Sequence, residues 1–273
     1  MTPLIKLSIP FTIDKCELHV SAIARKQGGL EPILFLHGFG STKEDYADIA
    51  RRQSSQDYLS NFPFIAYDAP GCGETWCADL SQISIPFLVD SASALLTDQN
   101  MNRFHLIGHS MGGLTGLMLA HQIPDRILSF TNIEGNLMPE DCFLSRQINE
   151  YDADDMDDFF DRFIERTYQA PAYSNPIYAI GLRHKVRQGA VRGIFTSMVE
   201  LSDNDHLMDK FLNLPCPRMF MYGDQNRSLS YLQKLQSNGV RLAEIPYSGH
   251  FPMYANPPAM WNEIESFLRS VCD

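Results

Sequence analysis

Short apolar, β-branched runs alternate with longer amphipathic ones along most of the chain. The runs 4–9, 17–24, 33–36, 64–67, 104–107, 127–133, 218–222 and 240–245 read as strands between turn-forming residues, with helical stretches such as 114–122 and 259–269 among them. This alternation predicts an α/β architecture: a mostly parallel sheet wrapped by helices. Ligand sites in such sheets gather at the carboxyl ends of strands, so the polar and glycine-rich loops after four of these runs are expected to converge.

The most informative loop is Gly108-His109-Ser110-Met111-Gly112-Gly113, between the strand 104–107 and the helix 114–122. A serine squeezed into a sharp strand-to-helix turn takes a strained backbone, and the residues two before and two after it must be tiny, as Gly108 and Gly112 are. The turn lifts the Ser110 hydroxyl above the sheet, while the helix N-terminus aims amide hydrogens at an oxyanion. In His37-Gly38-Phe39-Gly40, after the strand 33–36, the glycines let the backbone approach a substrate at Gly38 and turn the Phe39 amide inward. Together with the Met111 amide it makes a two-donor oxyanion hole. His37 pins this loop.

Tyr247-Ser248-Gly249-His250-Phe251-Pro252 follows the last strand. His250 is the candidate base, because imidazole can take the serine proton and return it to a leaving group near neutral pH, and Phe251 beside it is a candidate substrate contact. Of the other histidines, His105 lies within a strand, His109 adjoins the nucleophile but points elsewhere, and His121, His184 and His206 sit in helical or polar surroundings.

Composition narrows the class. A chain of 273 residues, 44% hydrophobic, builds one large core or a core with a small appended subdomain. The net charge of −11 and pI near 5.1 argue against nucleic acid or an anionic membrane as partner. No apolar run reaches membrane-spanning length and the N-terminal residues lack signal-peptide features, so a soluble, cytoplasmic protein is expected. The six cysteines show no C-x-x-C spacing and are read as reduced thiols, although Cys72 and Cys77 are close enough in a loop to be bridged. No metal site and no cofactor are implied. The oligomeric state is left open.

In this order, His37-Gly38-Phe39-Gly40, Asp68-Ala69-Pro70-Gly71-Cys72-Gly73, the Ser110 elbow and Ser248-Gly249-His250-Phe251-Pro252 resemble the α/β-hydrolase superfamily over residues 33–268. The resemblance implies an eight-stranded, mostly parallel sheet with helices on both faces and a helical cap inserted after the sixth strand. Asp68 and its turn read as scaffolding. The acid departs from the common pattern, which sets an aspartate three residues after the glycine ending the seventh strand. Here that position is Asn226, and Asp224 falls two residues early. Some members of the superfamily take the acid from the end of the sixth strand, where Glu134 stands in this chain. Glu134 is therefore the chosen acid, to fix the imidazole and stabilise its cation, with Asp224 the alternative.

Residues 136–214 separate the sixth and seventh strands by more than a crossover helix needs, so they are expected to form the cap over a core of 1–135 and 215–273. Met138 and Phe143 are candidate substrate contacts; Tyr168, Tyr173, Tyr178, Phe195 and Met198 either line an apolar pocket with them or form the cap's own core. The acidic run 152–161 reads as a solvated helix face with Phe159, Phe160 and Phe163 packed inward. The expected activity is cofactor-free hydrolysis of an apolar carboxylic ester with a small or medium acyl group, through an acyl-enzyme on Ser110, His250 and Glu134. Lactone, amide or carbon–carbon hydrolysis, or a hydrolase-like binding protein with little turnover, are the alternatives. A serine at the elbow disfavours haloalkane dehalogenase and epoxide hydrolase chemistry, whose members use an aspartate there.

Overall fold

The computed structural model describes residues 4–51, 57–150 and 156–272. Its main strands are β1 (Ile5–Ile13), β2 (Cys16–Arg25), β3 (Ile33–Leu36), β4 (Phe64–Tyr67), β5 (Phe104–His109), β6 (Ile127–Ile133), β7 (Arg218–Gly223) and β8 (Arg241–Ile245). They lie in the order β1-β2-β4-β3-β5-β6-β7-β8. From β4 to β8 every neighbouring pair is parallel, while β1 with β2 and β2 with β4 are antiparallel. The α/β expectation and the eight predicted strands hold, and a two-residue strand, Trp76–Cys77, is added beside β2.

Burial explains this arrangement. β3, β4 and β5 are buried at every residue, as strands covered by helices on both faces must be. The first strands run longer than predicted because β1 and β2 form one hairpin whose turn residues, Asp14 and Lys15, both take positive φ, the geometry that matches strand twist. Helix α1 (Ile85–Asp98) starts at Ser84, whose hydroxyl accepts from the Phe87 amide, and carries a proline in its first turn. It buries Leu88, Ala92, Leu95 and Leu96. Helix α2 (Met111–Gln122) buries nearly its whole first two turns, Met111 to Leu117, against the sheet.

Between β6 and β7 the chain forms α3 (Met156–Gln169), α4 (Asn175–Lys185), α5 (Val191–Asn204) and α6 (Leu207–Leu212), with 3-10 turns before them. Phe159, Phe163 and Phe195 pack ring against ring in this helical segment. It sits on the loops after β3 and β4: the Tyr178 hydroxyl donates to the Phe39 carbonyl, and the Arg187 amide to the Gly71 carbonyl. Residues 152–155 of the acidic run lie outside the described residues; beyond them Asp158 and Asp161 are exposed and pair with Arg162 and Arg183. Helix α7 (Pro257–Cys272) closes the fold.

The cysteines are all free, and Cys77 stands 3.4 Å from the sulfur of Cys16 rather than being joined to Cys72. Asp68 is fully buried; its carboxylate accepts from the Lys43 amide and ammonium and from the Glu74 amide, holding the two loops together. Among the described residues no helix is long and apolar enough to cross a membrane, and no group of three or more His, Cys, Asp or Glu could hold a metal ion.

His105 is buried on β5, with Nδ1 2.8 Å from the Ser129 hydroxyl, and burial pushes its pKa from the ordinary 6.5 down to about 4. A histidine depressed in this way contributes its stability in full above pH 6.5 and loses it as the pH falls toward 4, because the unfolded chain takes the proton first. Urea unfolding of His105→Gln between pH 7 and 4.5 is expected to show the acid slope of stability reduced by about 1.4 kcal/mol per pH unit relative to wild type.

Candidate active site

Ser110 sits between β5 and α2 with φ 50° and ψ −118°, a region that L-residues rarely occupy. The strain is held by its neighbours: the Ser110 amide donates to the Ile133 carbonyl at 2.9 Å, and a side chain on Gly112 would stand 2.3 Å from the Leu36 carbonyl oxygen. The loops after β5, β6, β7 and β8 meet at one edge of the sheet. There the Ser110 hydroxyl lies 3.0 Å from His250 Nε2, and His250 Nδ1 lies 2.8 Å from Glu134 Oε2. His250 and Glu134 are each 8% exposed.

Glu134 directly follows β6 with a positive φ of 46°, and its turn is tied by the Gly135 amide donating to Asn132 Oδ1. Its carboxylate also accepts from the Gly223 amide at 2.8 Å and from Asn226 Nδ2 at 2.7 Å. Such donors offset the cost of burying the charge. Asp224 does not reach the imidazole: its carboxylate accepts from the Tyr247 and Ser248 amides at 3.0 and 3.1 Å and so shapes the loop that leads to His250.

His109 does not point away from the site. Its ring centroid is 5.0 Å from that of His250, and its Nε2 donates to the His250 carbonyl at 2.7 Å. Burial, reinforced by the nearby His250, holds its pKa well below the ordinary value, so the ring is neutral with a bare Nδ1. That nitrogen faces Gly38, where a Cβ would stand 2.5 Å away. Gly38 therefore makes room for His109 beside Ser110. His37 pins its own loop by accepting the Ala69 amide at Nε2.

Above Ser110 lies a cavity of about 20 Å³, room for roughly one water molecule. Phe39, Phe143 and Phe251 line it together with Tyr178, Phe195 and Met198. Phe143 is 55% exposed, with its ring edge-on to His250 at 5.3 Å. Met138 is not on this wall; its amide instead donates to the Asp141 carboxylate, and Asp141 takes the place on the cavity. Tyr168 and Tyr173 are exposed. Asp141 accepts from the Leu137 and Met138 amides and the Tyr231 hydroxyl, yet burial still pushes it up to about 6. Met111 opens α2, where an amide has no intrahelical acceptor. A larger recess of about 540 Å³ opens near Arg25, Lys26 and Arg103, at the opposite edge of the sheet, and no Ser, Thr, Cys or His lines it.

Residues 33–263 match the family described as the alpha/beta hydrolase family. The chain belongs to that family. Among curated relatives of this chain, a protein of Mycoplasma genitalium named as an esterase/lipase is 34% identical over 94 residues, a stretch spanning only 34% of either chain. The 2-succinyl-6-hydroxy-2,4-cyclohexadiene-1-carboxylate synthase of an Enterobacter species is 24% identical over 88% of this chain and 93% of its own. A structure from a study of carboxylesterases of Nitrososphaera gargenis superposes with a TM-score of 0.76 at 16% identity, covering 96% of this chain and 98% of that one. That likeness speaks for the fold.

Sequence reasoning missed Asn226 as a donor to Glu134, although an amide at the usual acid position is itself a signal that a carboxylate stands nearby. Glu134→Gln is expected to lower kcat by roughly 10³–10⁴-fold, as loss of a triad carboxylate does. Asp224→Asn, which keeps an acceptor for the loop amides, is expected to stay within about tenfold of wild type. Steady-state kinetics of the two variants side by side would reveal a reversed order, which moves the acid to Asp224.

Proposed function

We propose that this protein is a serine hydrolase acting on uncharged carboxylic esters. The observation that carries the reading is the unbroken chain of hydrogen bonds from Ser110 through His250 to Glu134. Ser110 Oγ attacks the ester carbonyl carbon as its proton passes to His250 Nε2, and Glu134 stabilises the imidazolium. The Phe39 and Met111 amides receive the oxyanion. Collapse expels the alkoxide, which takes the proton from His250 and leaves as the alcohol. A water then gives a proton to His250 as it attacks the acyl carbon; the acyl–Oγ bond breaks as Ser110 Oγ takes that proton back from His250, releasing the acid and restoring Ser110.

The helical segment 136–214 serves as the cap that sets substrate choice. Its aromatic wall favours an apolar group, and the lining residues include Asp141 but no Lys or Arg, so a carboxylate or phosphate on the substrate is disfavoured. The cavity is too small for an acyl chain as it stands, so the exposed Phe143 ring is the part of the wall that must turn aside. The names of the Mycoplasma relative and of the carboxylesterase neighbour support ester hydrolysis.

Hydrolysis of p-nitrophenyl esters from acetate to decanoate, by wild type beside Ser110→Ala, is the deciding assay. Wild type is expected to turn over the short esters and Ser110→Ala to lose at least about 10³-fold in kcat. A folded wild type without turnover on any ester would move the reading to lactone, amide or carbon–carbon substrates or to a binding role.

A further inference from the structure

We infer that Ser145 is a specificity-determining residue of this site: its hydroxyl receives an uncharged oxygen function, a hydroxyl or a carbonyl, on the substrate. The inference rests on the ester-hydrolase reading above and narrows its substrate class.

Ser145 opens the 3-10 turn Ser145–Glu150 and lines the same cavity as Ser110 and His250. The residue is 2% exposed, and its hydroxyl has no hydrogen-bond partner among the described residues. An unpaired buried hydroxyl costs stability that an alanine of nearly the same shape would not. The other polar side chains of the wall are engaged. The Asp141 carboxylate is held by the Leu137 and Met138 amides and the Tyr231 hydroxyl, the Tyr178 hydroxyl donates to the Phe39 carbonyl, and Ser110 and His250 bond each other. The remainder is apolar, with Phe39, Phe195, Met198 and Phe251 on the same wall. A bound group that pairs with Ser145 therefore gains a hydrogen bond out of water, in surroundings where an all-carbon group leaves the hydroxyl unpaired. Sites built this way reject the analogue that lacks the polar group far more strongly than apolar pockets reject an added one. Asp141, with no Lys or Arg on the cavity, disfavours an anionic oxygen, so the oxygen function that pairs with Ser145 is an uncharged one.

The test compares matched esters that differ by one oxygen. On the acyl side, p-nitrophenyl butyrate is set against the 2-hydroxybutyrate, 3-hydroxybutyrate and 3-oxobutyrate esters; on the alcohol side, propyl butyrate is set against 2-hydroxyethyl butyrate. Wild type is expected to prefer at least one oxygenated ester by about tenfold or more in kcat/KM, the arm in which it does so showing which half of the substrate meets Ser145. In Ser145→Ala that ratio is expected to fall to near one, and the protein to melt no lower than wild type. A wild type that hydrolyses the parent esters without preference, a ratio that survives Ser145→Ala, or a melting temperature several degrees lower in the variant overturns the inference while leaving the ester reading intact. Failure on every ester, parents included, overturns the ester reading first.

Discussion

The rest of the molecule depends on holding one serine in a backbone conformation it would not choose. A strained residue of this kind costs on the order of 1–3 kcal/mol and persists only where its surroundings overdetermine it. Here the surroundings are β5, buried along its length, and the first turns of α2, buried against the sheet. Each fully buried Leu of that helix contributes about 1.5–3 kcal/mol, so two such side chains outweigh the strain. Close packing does the remaining work, since Gly112 lies where any larger residue would press on the Leu36 carbonyl. The hydroxyl is thus presented by rigid elements rather than by a loop free to relax.

A second constraint is electrostatic. Glu134 is buried, and three donors meet its two oxygens: the Gly223 amide, Asn226 and His250. An aspartate at 226 would have set a second carboxylate against the first, and two like charges in a desolvated site cannot both stay ionised. In the proposed reading, an acid at the end of β6 and the asparagine at position 226 are therefore one feature seen from two strands. Asp224, freed from the imidazole, fastens the loop on which His250 rides.

Over this rigid base lies a helical segment with an aromatic interior of its own. Tyr178 and Phe195 reach down from it to Phe39, so the aromatic wall of the cavity and the loop after β3 are packed as one unit. In the proposed reading, chemistry is positioned by the sheet and choice of substrate by the helices laid on its edge, a division common to folds that vary function through insertions.

The sequence alone determined the strand and helix order, the α/β architecture, the serine turn and the loop bearing His250. Each of these is encoded within a few residues, by burial patterns that repeat along an element or by glycines that sterics demands at fixed spacing. Glu134 was legible as a choice because a carboxylate at the end of a strand stands at the edge where ligand sites gather. Other matters were left to the tertiary structure. It alone decided that Glu134 rather than Asp224 meets the imidazole, across 116 positions of chain. It turned His109 toward His250 instead of away, drew Met138 off the cavity wall, and set Asp141 and the unpartnered Ser145 upon it. These outcomes depend on which side chains from distant segments share one small volume, and that is fixed by packing between elements rather than by any local pattern.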